Sequence, residues 1–204
     1  MPRKVHHSSG GPDQGELFRL LRYSHIFASA VQQVLEIELL RKTTPLPLTV
    51  SQFHVLKLMT LNGRHQIGEV ADFLGVSPPA ATKNIDKLER YGLMVRSPSK
   101  GDRRATLLSV SPKGRRLVER FEQLKTERLV PVVESLQPDE LEQLTSLLQR
   151  VSISLLEEQS TDGFCLRCAA YLAEDCPVGQ ARGGCPYRKL RGIGREGAGT
   201  ELRP

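Results

Sequence analysis

Between residues 16 and 42 apolar side chains recur at helical spacing: Leu17, Leu20, Leu21, Phe27, Ala28, Val31, Val34, Leu35 and Leu39, with Ser24 and Glu38 in the same register. That pattern predicts one long helix, stopped by Pro45 and Pro47. Thr49 then stands as an N-cap, its hydroxyl placed to accept an orphan backbone N–H. It opens a second helix carrying Phe53, Val55, Leu56, Leu58 and Met59, which ends at Asn62-Gly63. A short amphipathic stretch from Gln66 to Leu74 puts Ile67, Val70, Ala71 and Leu74 on one face, and Gly75 supplies a left-handed C-cap. Ser77-Pro78-Pro79 reads as a capping hydroxyl followed by first-turn prolines, opening a helix that runs to about Tyr91 and is closed by Gly92. Residues 93–96 and 105–110 have strand-length apolar patterns around a charged, turn-rich tip, Ser97-Pro98-Ser99-Lys100-Gly101-Asp102, and predict a β-hairpin. Ser111-Pro112 starts a helix to about residue 135. A last helix, about 138–159, carries the stripe Leu144, Leu148, Val151 and Leu155.

The order is helix, helix, short helix, helix, hairpin, then two helices. It predicts a mainly α fold with a small β-hairpin wing: a winged helix-turn-helix joined to a helical dimerisation region. The expected division is a disordered N-terminal arm over 1–15, an N-terminal dimerisation helix over 16–47 and a DNA-binding winged helix over 48–112. C-terminal dimerisation helices follow over 113–160, then a four-cysteine segment over 161–190 and a disordered tail over 191–204. No internal repeat interrupts this order.

Composition narrows the class. With 39% hydrophobic and 25% charged residues the chain suits a soluble globular protein with disordered ends. Its apolar runs are short and broken by charge, so no membrane partner is expected. Residues 1–15 lack the apolar core of a secretion signal, and the expected location is the cytoplasm. The overall charge of +6 says less than its placement. Residues 77–116 hold ten Lys and Arg against three acids, whereas residues 117–162 hold four against ten. A basic block followed by an acidic helical block suits one surface meeting a polyanion and another kept away from it. Charge blocks of this kind also occur as ordinary solvated faces, so charge alone does not decide the matter.

Spacing within the basic block is more informative. In the helix from Ser77 to Tyr91, the residues Ala81, Ile85 and Leu88 fall at i, i+4 and i+7 and face a core. The opposite face then presents Pro79, Lys83, Asp86, Lys87 and Arg90, with Thr82 beside them. Such a face suits the major groove, where side chains near a helix N-terminus, Ser77 included, reach base edges. Lys83 and Lys87 fit bases or phosphates alike. The hairpin tip adds Lys100, Arg103 and Arg104, and an arginine on a thin loop suits a narrow minor groove. Asp102 among them is expected to fix a wing arginine through a bidentate pair.

These segments resemble the multiple-antibiotic-resistance regulator (MarR) family. The resemblance rests on Leu48-Thr49 with Phe53, on Ile67 through Ser77, and on Lys87-Leu88-Glu89-Arg90-Tyr91-Gly92-Leu93. Its most specific part is the wing, Asp102-Arg103-Arg104-Ala105 followed by Leu108-Ser109-Val110-Ser111-Pro112-Lys113-Gly114. It spans about residues 16–159. It implies a homodimer built from the first and last helices, binding double-stranded DNA at a palindromic site with one half per subunit, with repression as the expected direction. By position, Arg104 is the wing arginine and Asp102 its partner. The family's effectors are often small aromatic acids, and no residue set here identifies one.

The chain's four cysteines, Cys165, Cys168, Cys176 and Cys185, are spaced C-x2-C-x7-C-x8-C. In a cytoplasmic protein such clustering points to metal rather than disulfides. Four thiolates suit an iron–sulfur cluster (a 4Fe–4S centre) or tetrahedral Zn2+. A zinc ribbon usually carries two C-x-x-C knuckles and this segment has one; Cys176-Pro177 and Cys185-Pro186 resemble the Cys-Pro pairs near iron–sulfur ligands. A thiol–disulfide switch is the third reading. The site either senses iron or redox state and biases the dimer, or staples a segment that has almost no core of its own. This segment departs from the usual family pattern.

An enzyme is not expected. His6, His7, His25, His54 and His65 lie far in sequence from the cysteines, and no glycine-rich phosphate loop follows a strand. An iron–sulfur electron-transfer protein is the reading from another class, and it leaves the basic wing unexplained.

Overall fold

The computed structural model describes Gly11, residues 13–99 and residues 106–156. Residues 1–10 and 12 of the expected arm over 1–15, the tip residues 100–105 and everything from 157 onward, with all four cysteines, lie outside the described residues; residues 13–15, expected in that arm, belong instead to the cap and first turn of a helix.

Helix α1 (Gln14–Ala30) starts one turn before the apolar pattern becomes regular, because Asp13 and Glu16 form a capping box. The Asp13 carboxylate accepts from the Glu16 N–H at 2.8 Å and the Glu16 carboxylate accepts from the Asp13 N–H at 3.1 Å. The helix passes without a break into a π-helical segment (Val31–Glu38) and then α2 (Leu39–Thr43). The single helix expected over 16–42 is therefore continuous in path but widened in its middle third. Thr44 turns extended, and the two prolines follow.

Helix α3 (Val50–Asn62) is capped as its sequence demands: the Thr49 hydroxyl accepts from the Gln52 N–H and the Gln52 side chain accepts in return from Thr49. Every residue from Gln52 to Met59 is buried, so α3 is the central helix of the fold rather than an amphipathic surface one. Helix α4 (Ile67–Leu74) ends at Gly75, whose φ of 62° and ψ of 37° are left-handed, a conformation that costs glycine nothing. Helix α5 (Pro78–Arg90) packs Ala81, Ile85 and Leu88 into the core, each fully buried.

A three-stranded antiparallel sheet completes the wing, in the order β1-β3-β2. Strands β2 (Met94–Pro98) and β3 (Thr106–Val110) form the expected hairpin, with Pro98 opposite Thr106. Pro98 thus belongs to the strand and not to the tip; lying at the end of an edge strand, it removes no ladder bond. Strand β1 (His65–Gln66) was not expected. It pairs His65 with Leu108 on the far edge of β3.

Helix α6 (Pro112–Val133) begins at Ser111, whose hydroxyl accepts from the Gly114 N–H at 3.0 Å and donates to the Gly92 carbonyl at 2.7 Å. A Cβ on Gly114 would stand 2.3 Å from the Leu93 carbonyl oxygen, so only glycine lets α6 approach the start of the wing so closely. Helix α7 (Pro138–Leu156) follows. One core joins α2, α3, α4, α5, the sheet and the first turns of α6, with the Phe53 and Phe121 rings 4.1 Å apart at the α3–α6 contact. Among the described residues no helix is long and apolar enough to cross a membrane.

Candidate nucleic-acid interface

Helices α4 and α5 cross as a helix-turn-helix, and the burial of Ala81, Ile85 and Leu88 fixes the rotation of α5. Lys83, Lys87 and Arg90 therefore stand exposed, and none forms an ion pair with another described residue. Pro79 is also exposed; Thr82 is half-buried and donates to the Pro78 carbonyl at 2.9 Å. Three cations on one outward helix face, unpaired among the described residues, form a surface suited to phosphate and base edges.

Ser77 occupies the N-cap position but makes no capping hydrogen bond. The expected capping role is therefore corrected. Pro78 and Pro79 at the first two helical positions have no N–H to offer, and the Ser77 side chain makes no bond to the Ala80 N–H at the third. The exposed Ser77 hydroxyl is left outward at the helix N-terminus.

Asp86, expected on the outward face, is instead paired with the wing. Arg96 of β2 donates from Nη2 to Asp86 Oδ1 at 2.5 Å and from Nη1 to Glu89 Oε2 at 2.9 Å. The two carboxylates lie one helical turn apart on α5. Lys113 closes the same corner, donating to the Tyr91 carbonyl at 2.8 Å. Lys100, Asp102, Arg103 and Arg104 lie outside the described residues; β2 and β3 bring the chain to and from them.

Behind the outward face, polar contacts tie the core helix to its neighbours. Gln52 reaches from its capping box to Asn84 of α5 at 3.0 Å, so the start of α3 is bonded to the middle of α5. His54 stands 3.4 Å from Glu36 of the π-helical segment. Lys57 stands 2.8 Å from Glu122 of α6, which also meets Lys125 at 2.5 Å. Burial lowers the Lys57 pKa, with Glu122 opposing. Burial pushes the Glu122 carboxyl up, but its bonds to Lys125 and Lys57 outweigh this and hold it below the usual range. His65 is buried in β1 with Nδ1 3.3 Å from Glu69, and desolvation lowers its pKa despite that carboxylate.

With this geometry, a match to the family model described as MarR family over residues 48–106 decides the identity of the segment. The winged helix is a MarR-family domain. The chain is 27% identical over 141 residues to the uncharacterized HTH-type transcriptional regulator YkoM of Bacillus subtilis (strain 168), covering 69% of this chain and 91% of that protein. Among solved structures it is similar to a MarR family protein from Bacillus stearothermophilus, with 21% identity, a TM-score of 0.59, and 71% and 99% of the two chains covered. It is also similar to RV1404 from Mycobacterium tuberculosis, with 20% identity, a TM-score of 0.60, and 78% and 100% covered. Both likenesses bear on the fold. They extend the likeness in fold beyond the matched segment to the flanking helices.

Two features of this MarR surface escaped the sequence. Arg96 had no local signal, since its partners lie on another element. Phe73, fully buried, falls outside the stripe drawn through α4 because that short helix is covered on two sides. Among the described residues no cluster of three or more His, Cys, Asp or Glu is placed to hold a metal.

Proposed function

We propose that this MarR-type DNA-binding regulator works as a cytoplasmic homodimer on a palindromic site in double-stranded DNA, acting as a repressor. The observation that carries the reading is the outward face of α5. Its buried stripe fixes Lys83, Lys87 and Arg90 outward and without partners among the described residues, at the front of a helix-turn-helix. A recognition helix so placed reads the major groove, and the wing tip with Lys100, Arg103 and Arg104 lies in sequence where a minor-groove contact belongs.

The homodimer is supported by apolar surface that the chain leaves uncovered. No residue of α1 is buried, and Phe18, Tyr23 and Ile26 are each more than half exposed. On α7, Leu147 and Leu155 are exposed to 54% and 72%. Isolated exposed leucines are ordinary, but two whole helices of them ask for a partner.

The test is selection of duplexes from a randomised pool by the full-length protein. An enriched inverted repeat is expected, its half-sites centred about one helical turn apart. Arg104→Ala should weaken binding to that duplex by about 10- to 100-fold. An unselected pool, or an Arg104→Ala variant of unchanged affinity at moderate salt, overturns the reading or the wing assignment respectively.

A second proposal rests on the spacing of Cys165, Cys168, Cys176 and Cys185, which lie outside the described residues. They bind one metal centre, a 4Fe–4S cluster in preference to Zn2+, that modulates the dimer. Anaerobic purification with iron, sulfide and zinc analysis separates the two metals. Equal stoichiometric zinc in a colourless protein replaces the sensor by a structural staple and moves the search for a small-molecule effector to the dimer region. A Cys176→Ser variant that loses the metal but keeps the DNA affinity and its redox response removes the regulatory role.

A further inference from the structure

We infer that Arg96 is a positioning residue of the DNA-reading surface, a clamp that joins wing and recognition helix into one rigid reader. The inference rests on the DNA-binding reading above. Arg96 sits on β2, and its two terminal nitrogens reach two different carboxylates, Asp86 at 2.5 Å and Glu89 at 2.9 Å. A guanidinium is planar, so bonds from both ends fix its orientation as well as its distance. Asp86 and Glu89 are one turn apart on α5, so the clamp spans a length of the recognition helix rather than one point on it. On the other side, β2 is paired with β3 from Met94 to Pro98, and β3 with β1. Whatever fixes Arg96 therefore fixes the whole sheet relative to α5.

Electrostatics point the same way. Asp86 and Glu89 are about half exposed, on the helix that would approach a polyanion. Left alone they would be repelled by phosphate. Arg96 holds both on the wing side of α5 and offsets part of their charge. It is thereby distinct in kind from Lys83, Lys87 and Arg90, which have no described partner: its charge is already engaged, and its contribution to binding is geometric. An exposed fork of this sort adds little to folding stability, so its effect belongs in specificity.

The test uses the full chain and, as probe, the duplex that the wild-type protein enriches from the randomised pool, beside a scrambled duplex of the same composition. Arg96→Met is expected to lower the ratio of selected to scrambled affinity by about 5- to 30-fold, leaving the salt dependence of binding unchanged. In an Asp86→Asn, Glu89→Gln background, where the clamp is already open, the same substitution should change the ratio by less than about twofold, the non-additivity of residues acting as one unit. Arg96→Lys keeps the charge but cannot fork, and should behave as Arg96→Met; it also serves if the methionine variant fails to fold. Equal losses in both backgrounds with a salt slope reduced by about one would make Arg96 a direct phosphate ligand and overturn the clamp. So would a lysine variant equal to wild type. Hydrogen exchange without DNA gives an independent readout: opening the clamp should speed exchange of the amides in β2 and β3 relative to α5. Unchanged exchange overturns the clamp even if no duplex is enriched, an outcome that would by itself count against DNA binding and not against Arg96.

Discussion

The winged helix and the terminal helices use similar apolar patterns to different ends. From Gln52 to Phe121 the stripes close on one another: α5 sinks Ala81, Ile85 and Leu88, α3 is buried all round, and Phe53 meets Phe121. In α1 and α7 equally regular stripes remain in solvent; Leu21, Phe27, Leu148 and Val151 are exposed to between 40% and 55%. The charges differ as well. Outward cations without described partners lie on α5, whereas Lys57, Glu122 and Lys125 are tied together where α3 meets α6. A periodic pattern thus shows that a helix has an apolar face but not what covers it. Where the chain supplies the cover, the face builds the domain; where it does not, the face is available to a second copy.

The largest expected effect breaks the uncovered side. Leu21→Glu combined with Leu148→Glu puts charge into the proposed dimer face, where each buried leucine would contribute about 1.5–3 kcal/mol. The protein should sediment as a monomer while its winged helix stays folded, and its affinity for the selected duplex should fall by at least about 100-fold. A variant that remains dimeric assigns the contact to other surfaces. A smaller effect is expected on the covered side. Ser111→Ala removes both the cap of α6 and the bond to Gly92, leaving the Gly114 N–H without its acceptor. Denaturant unfolding should show a loss of about 1–3 kcal/mol with the dimer intact. The smallest effect is a matter of pH. His65 is held neutral by burial, its folded pKa below the ordinary value near 6.5. The unfolded chain therefore takes up a proton first, so the stability this group confers is complete above about 6.5 and is lost as pH falls toward the folded value. Replacing it with an uncharged His65→Gln side chain should flatten the unfolding free energy across that window; an unchanged slope would assign the pH dependence elsewhere.

What was legible in the sequence is what local rules govern. Thr49 with Gln52, the Gly75 C-cap and Ser111-Pro112 each carry their geometry within a few residues, and all three stand where the pattern puts them. The i, i+4, i+7 spacing of Ala81, Ile85 and Leu88 fixed the outward face of α5 in the same way. The misses need a second element. β1 has two residues, too short to alternate, and exists only because β3 offers it an edge. The Arg96 fork joins residues seven and ten apart across a turn, on two different elements. Ser77 carries the same Ser-Pro signature as Ser111 yet makes no capping bond, so that signature does not by itself decide the cap.

An outward cationic helix and an uncovered apolar face together make a dimeric reader, and the mass of the protein–DNA complex tests both. Native mass spectrometry of the full-length protein with the selected duplex should give two chains per duplex, with the doubly substituted Leu21→Glu, Leu148→Glu variant giving none at the same concentration. One chain bound per duplex, or a complex equally well formed with a scrambled sequence, would contradict a dimeric reader of a palindromic site.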